Sequence, residues 1–241
     1  MFAKEMGLKV RTYECGAEGR LSIRSLMHHM QEAASLHANE MGLGEEWLQR
    51  NDYLWVLVDL KVGIDRLPVW KEEAVIYTWP SGFDDYRAFR EFSIAGPGGR
   101  EIARASSNWM VLSVEEKLPV KLSRTGIDLP RSSKRHFPGL GRLITKGEGE
   151  RVMTIEVPYS SLDGNGHVNN TEYVRWGIDA ASKAKVRLND IGTLHISYTA
   201  EVFEGNIVDL FILEKDEKVL ITGKREEDGR KVFLLELVLK E

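Results

Sequence analysis

The sequence predicts an α+β protein built from two tandem units, each an antiparallel sheet wrapped around one central helix. Three observations carry this. The chain repeats itself weakly at a spacing of 147 residues. Both copies carry apolar residues at three- and four-residue steps, the period of an amphipathic helix. Each helical stretch precedes runs of alternating or β-branched residues with Gly and Asp-Gly turn signals between them.

In the repeat, GRLSIRSLMHHMQEAAS (Gly19–Ser35) lies over GHVNNTEYVRWGIDAAS (Gly166–Ser182): Gly19 meets Gly166, Leu21 meets Val168, and Ala33-Ala34-Ser35 meets Ala180-Ala181-Ser182. In the first helix Ile23, Leu26, Met27, Met30, Ala33, Ala34 and His37 form the apolar stripe. In the second, Tyr173, Gly177, Ala180 and Ala184 do so, and their small size lets a helix sit close against a sheet. Ser22 and Asn169 fall on equivalent positions, and both residue types cap helices by accepting a bond from an orphan N–H.

Strands are expected at Tyr53–Ile64, Glu73–Trp79, Tyr86–Ala95 and Arg100–Val114, with Gly96-Pro97-Gly98-Gly99 as a hairpin turn. The second half supplies Thr193–Val202, Asn206–Leu213, Lys218–Glu226 and Arg230–Lys240, with Asp228-Gly229 as a turn. Between the halves, Lys121 to Lys146 holds seven Lys and Arg against Asp128 alone, a local charge of +6 that leaves −10 on the rest of a chain whose net charge is −4. With its Pro and Gly, this segment reads as a linker.

Bulk properties narrow the function. A hydrophobic content of 42% supports a sizeable core and argues against disorder. The acidic net charge argues against a whole-chain nucleic-acid footprint, which needs a basic face. Cys15 is the single cysteine, which excludes a disulfide framework and a cysteine metal cluster. The N-terminus MFAKEMGLKVRTYECG lacks the apolar core of a signal peptide, and no stretch is long enough to span a membrane, so a cytoplasmic protein is expected.

The segment LDGNGHVNN (Leu162–Asn170) concentrates chemistry directly before the second helix. A helix N-terminus offers unpaired N–H groups and partial positive charge, a ready place for a developing oxyanion. Gly164 and Gly166 let the backbone bend sharply. A calcium loop is excluded, because an EF-hand needs Gly at its sixth position and Glu at its twelfth, where Val168 and Val174 stand. His28-His29 lack a carboxylate at i+4, so no metal is expected, and the Gly-x-Gly fragments lack a dinucleotide-site context. His136-Phe137-Pro138-Gly139 is read as linker.

The doubled helix-and-sheet unit resembles a double hotdog fold. The motif Asp163-x-Asn165-x-His167-Val168-Asn169-Asn170-x-x-Tyr173 is similar to the signature of the second hotdog in acyl-ACP thioesterases. So is Tyr198-Thr199-Ala200-Glu201, whose acid lies 38 residues after Asp163 in the strand following the helix. The short motif also occurs, more loosely, in single-hotdog acyl-CoA thioesterases; the doubled length, the linker and Glu201 favour the acyl-carrier branch. The chain has no extended N-terminal segment of the plant type, which suggests a bacterial member or a trimmed chain.

The resemblance implies a thioesterase that hydrolyses fatty acyl-ACP to free fatty acid and holo-ACP, with no cofactor and no metal. An acyl-CoA thioesterase and a non-catalytic fatty-acyl-binding double hotdog are the alternatives. It implies an N-terminal hotdog at residues 1–122 that shapes the acyl pocket, a basic linker at 123–150, and a catalytic C-terminal hotdog at 151–241. Asp163, Asn165, His167 and Glu201 match the family's catalytic positions. Glu201 is expected as general base for water, helped by partial burial. Asp163 either fixes the proton network or attacks the carbonyl itself. Asn165 holds the thioester carbonyl, and His167 orients a carboxylate or protonates the leaving thiolate. In the repeat register Gly16, Glu18 and Arg20 replace Asp163, Asn165 and His167, so one active site per chain is expected.

Met27, Met30 and Trp55 are candidate walls of the acyl pocket. Asn169 and Asn170 stand beside the substrate, Asn169 as helix cap. Acyl carrier proteins are acidic, so Arg131, Lys134 and Arg135 are candidate docking residues, extended by Lys183, Lys185 and Arg187 if these lie close. Both a monomer and a homodimer fit the doubled architecture.

Overall fold

The computed structural model describes residues 3–145, 147, 149–215 and 217–240, so Lys146 of the basic segment lies outside the described residues. The chain divides into two compact units, Met1–Gly141 and Arg142–Glu241. The division falls inside the span read as linker. Much of that span packs on the first unit: Leu122, Ile127 and Leu129 join Ala88 and Val111 in one core cluster, and Trp79 Nε1 donates to the Lys134 carbonyl at 3.1 Å.

The first unit runs β1 (Lys4–Lys9), α1 (Ile23–Glu40), α2 (Glu45–Asn51), β2 (Tyr53–Ile64), β3 (Glu73–Phe83), β4 (Arg87–Ala95) and β5 (Glu101–Ser113). Its strands lie in the order β1-β3-β4-β5-β2, each pair antiparallel. The residues of α1 that turn inward are Leu26, Met27, Met30, Ala33, Ala34 and His37, the face its periodicity specifies, and the helix packs on β1 and β3. Ser22 caps it, Oγ accepting from Ser25 N at 3.1 Å. The short α2 carried no clear periodic signal. It is started by Asn39, whose Oδ1 accepts from Glu45 N, and stopped by Asp52 in the left-handed region.

β3 continues past the expected end at Trp79 to Phe83. Pro80 would ordinarily end pairing, but the register with β4 shifts between Pro80 and Gly82, and a bulge is where a strand tolerates proline.

The second unit runs β6 (Glu150–Glu156), α3 (Asn170–Lys183), β7 (Ile191–Tyr198), β8 (Ile207–Lys215), β9 (Lys218–Arg225) and β10 (Lys231–Leu239), with strand order β7-β10-β9-β8-β6. These pairs too are antiparallel. Helix α3 packs on β6, β8, β9 and β10. Gly177 permits the close approach: a Cβ there would lie 2.3 Å from Leu235 Cδ2. Each unit is thus the hotdog arrangement, one long helix on an antiparallel sheet. Among the described residues no helix is long and apolar enough to cross a membrane.

The repeat is legible in backbone geometry. A 3-10 turn at Thr12–Glu14 has its counterpart at Tyr159–Ser161, and the bridge Cys15–Leu21 has its counterpart in Leu162–Val168. Gly16 N bonds to Arg20 O at 2.9 Å, and Asp163 N bonds to His167 O at 2.8 Å. Gly19 and Gly166 both take positive φ, 69° and 77°, where side chains are strained.

Candidate active site

The site is built on the turn that delivers the chain into α3. The Leu162–Val168 bridge and the Asp163 N to His167 O bond close a narrow loop, and Gly166 N returns to Asp163 O at 3.0 Å. The Asp163 carboxylate folds back into this loop: Oδ1 accepts from Asn165 N at 2.8 Å and from His167 N at 3.3 Å. Asp163 and His167 are therefore half-buried, and Asn165 is exposed at the tip. Asn169 closes the loop by capping α3, its Oδ1 accepting from Thr171 N at 2.9 Å.

Glu201 does not lie in a strand. The ladder of β7 ends at Tyr198, because the next two amides, Thr199 N and Ala200 N, both donate to the Val232 carbonyl, and Thr199 Oγ1 donates to the Lys231 carbonyl. Freed from the sheet, the segment after Tyr198 loops back, and Val168 N donates to Val202 O at 3.0 Å. That bond brings the two segments together. Glu201 Oε2 stands 3.9 Å from His167 Nε2, too far for a direct hydrogen bond and right for an ionic contact or a bridging water. Instead of the partial burial expected of it, the Glu201 carboxylate is 52% exposed, while His167 is 29% exposed. The imidazole meets the edge of Phe203, ring centres 5.1 Å apart.

Two supports were not foreseen. Arg225 Nη1 donates to the Glu201 carbonyl at 3.1 Å, while Arg225 Nε and Nη2 grip Asp228 at 3.1 and 2.6 Å. The guanidinium holds the Asp228 carboxyl down to about 2. The Asp228-Gly229 turn signal was visible in sequence; that its acid would aim an arginine at Glu201 was not. Below the loop, Glu172 is buried at 3% exposure, accepting from Ser161 Oγ at 3.1 Å and pairing with Arg175 at 2.8 Å, which ties the 3-10 turn to α3.

Tyr173 lies beneath the acids, 4% exposed and packed edge-on against Tyr198 and Phe233. Burial pushes its phenol far above the ordinary value, and the nearby negative charges of Glu201 and Asp163 add to this, so it stays a neutral hydroxyl. The Tyr198 hydroxyl, likewise held protonated by burial, donates to the Asn170 carbonyl at 3.0 Å.

The remaining candidates lie in the first unit. Met27 and Met30 are core residues, 3% and 2% exposed, and neither borders the cavity beside Trp55. Trp55 does: with Ala34, Ala38, Phe89, Trp109 and Leu129 it borders a cavity of about 90 Å³, fixed by a bond from its Nε1 to Leu43 O at 3.1 Å. Arg131, Lys134 and Arg135 lie over the rings of Phe83, Trp79 and Phe89, and Arg135 also stands 3.6 Å from the buried Glu91. Among the described residues no group of three metal-ligating side chains converges.

Two hotdog units, one of them bearing an acid-lined loop before its helix, place the chain in the double-hotdog class. Residues 2–125 match the acyl-ACP thioesterase N-terminal domain and residues 145–232 match the acyl-ACP thioesterase C-terminal domain. The chain belongs to the acyl-ACP thioesterase family. It is 25% identical over 218 residues to an acyl-[acyl-carrier-protein] hydrolase of Cuphea viscosissima, covering 83% of this chain and 52% of that one. It is 26% identical over 210 residues to a palmitoyl-acyl carrier protein thioesterase of Gossypium hirsutum, covering 80% and 50%. The chain thus spans about half the length of the curated relatives it matches. In fold it is similar to an acyl-ACP thioesterase from Bacteroides thetaiotaomicron, TM-score 0.89 at 22% identity, over 99% of this chain and 98% of that one. It is also similar to the 12:0-ACP thioesterase of Umbellularia californica, TM-score 0.82 at 19% identity, over 100% and 98%.

Proposed function

We propose that this chain hydrolyses fatty acyl thioesters of acyl carrier protein in the cytosol, releasing free fatty acid and holo-ACP from one site per chain. The observation that carries the reading is the meeting of Glu201 with His167 at the Asp163 loop, ahead of the α3 N-terminus.

Glu201 takes a proton from water as the water oxygen adds to the thioester carbonyl. Its open position gives that water access. The Asn165 amide donates to the carbonyl oxygen and stabilises the charge that develops there. Collapse of the tetrahedral adduct breaks the C–S bond, and the thiolate takes a proton from His167, which recovers it from Glu201 through a bridging water. Asp163 orients rather than attacks: the two backbone bonds it accepts hold its carboxylate and lower its nucleophilicity. In this reading the first unit's cavity beside Trp55 is a chamber for fatty acyl chains, and Arg131, Lys134 and Arg135 attract the acidic carrier.

The test is steady-state hydrolysis of a panel of acyl chain lengths on both ACP and CoA. Asp163→Ala and Glu201→Ala should each lose at least about 10²-fold in kcat/KM. A variant that keeps near wild-type rate removes that residue from the mechanism. Equal rates on the two carriers would replace the ACP assignment with a general acyl thioesterase.

A further inference from the structure

The cavity of the first unit has an apolar wall, with one charged residue set into it. Arg90, on β4, borders the same space as Trp55, Trp109, Ala38 and Leu129. Its two hydrogen bonds both leave from Nη1, to His37 Nδ1 at 3.1 Å and to Thr78 Oγ1 at 3.1 Å. Arginine can only donate, so His37 Nδ1 and Thr78 Oγ1 accept, and neither partner is an anion. Both are fully buried.

The neighbouring carboxylate does not compensate. Side chains alternate along a strand, so Glu91 faces away from Arg90. It is already engaged by Ser81 Oγ, Ser106 Oγ, the His136 amide and Arg135. Among the described residues no carboxylate pairs with Arg90. Desolvation lowers its pKa to about 10, so the guanidinium is still charged at neutral pH.

Arg90 is half-buried, and a cation that loses its remaining water without gaining an anion is costly. A plain hydrocarbon chain entering this cavity would strip water from the guanidinium and return nothing. A chain that carries an oxygen would return a charge-assisted bond. We propose that Arg90 makes this cavity a subsite for acyl chains bearing an oxygen acceptor, hydroxyl or carboxylate, on the hydrocarbon portion away from the thioester. This rests on the reading of the first unit's cavity as the acyl chamber. It narrows the substrate class, because a site built to hydrogen-bond a group discriminates against analogues that lack it.

The test needs no turnover. Fatty acids, their omega-hydroxy derivatives and the matching dicarboxylic acids, from eight to sixteen carbons, compete with a fluorescent fatty acid for the intact protein. At the best-bound length an oxygenated acid should bind roughly ten- to a hundred-fold tighter than the plain acid. The hydroxy and dicarboxylic arms separate a neutral acceptor from an anion. Arg90→Met should erase the difference, and Arg90→Lys should retain part of it. Tighter binding of the plain acid by the wild-type protein overturns the subsite, as does a preference that survives Arg90→Met. Should Arg90→Met fail to fold, the wild-type comparison decides by itself. The same pairs as ACP thioesters then test turnover. Selective binding without hydrolysis would refute the hydrolase and leave the subsite standing; hydrolysis without selectivity would do the reverse.

Discussion

Gly177 on α3 is where stability and activity should part company. Alanine there gains helix propensity of about 1 kcal/mol over glycine. Against this stands a new Cβ 2.3 Å from Leu235 Cδ2, with Leu235 Cγ at 3.6 Å and Cβ at 3.9 Å. Carbon atoms rest at about 3.5–4.0 Å, so the pair must separate by more than about 1 Å. Leu235 is fully buried on β10 and has little room to turn. Overpacking of this kind costs about 1–3 kcal/mol, which exceeds the propensity gain, so Gly177→Ala should be destabilised by about 1 kcal/mol net. The functional loss should be larger. If α3 lifts by an ångström, the Asp163 loop at its N-terminus moves with it, and displacement on that scale costs about 10²-fold in rate. Urea denaturation and kcat/KM on one batch of protein measure both. Adding Leu235→Val, which removes the obstructing Cδ2, should restore much of the rate. A Gly177→Ala protein that is more stable by about 1 kcal/mol and fully active would refute the argument that this contact positions the site.

Two further outcomes follow from the same geometry. Asn169→Ala removes the cap on α3 and should cost about 1 kcal/mol in urea denaturation. Asp228 is depressed to about 2 in the folded protein, below the ordinary carboxylate value near 3.9. Its pairing with Arg225 is therefore fully present above about pH 4 and is lost as pH falls through about 2. Asp228→Asn should lower kcat by loosening the arginine that holds the Glu201 carbonyl, while leaving the acid limb of the pH–rate profile above pH 4 in place. A shifted limb would mean that Asp228 itself titrates in the working range.

The sequence made the two long helices and most strands legible because both depend on local periodicity: β2 spans the expected Tyr53–Ile64, and the buried face of α1 consists of the residues spaced for it. What it concealed depends on non-local bonds. The end of β7 was hidden because the sequence through Thr199 and Ala200 still alternates like a strand, while the amides turn to Val232 for reasons set in β10. The charge pattern of 123–150 suggested a tether; the apolar Leu122, Ile127 and Leu129 within and beside it pack into the first unit's core. Neither Arg225 behind Glu201 nor Arg90 in the cavity wall announces itself locally, because each takes its meaning from a partner 24 or more residues away.

The duplicated turn separates what the loop needs to fold from what it needs for chemistry. At the first copy, Gly16 stands where Asp163 stands, and the turn still forms, with the same bridge, the same amide-to-carbonyl bond and a positive φ at Gly19. A side-chain carboxylate is therefore not required for the backbone to take this shape. The two bonds accepted by Asp163 Oδ1 are additions to a turn that closes without them. If the acid were a structural cap, Asp163→Gly should unravel the entry to α3. If its role is to orient the site, Asp163→Gly should reproduce the first copy's turn, lose only about 1 kcal/mol for two partly exposed hydrogen bonds, and drop kcat/KM by about 10²-fold or more. Amide hydrogen exchange across Leu162–Thr171 distinguishes the two: protection that persists while activity vanishes assigns the carboxylate to chemistry, and protection lost together with activity assigns it to the fold.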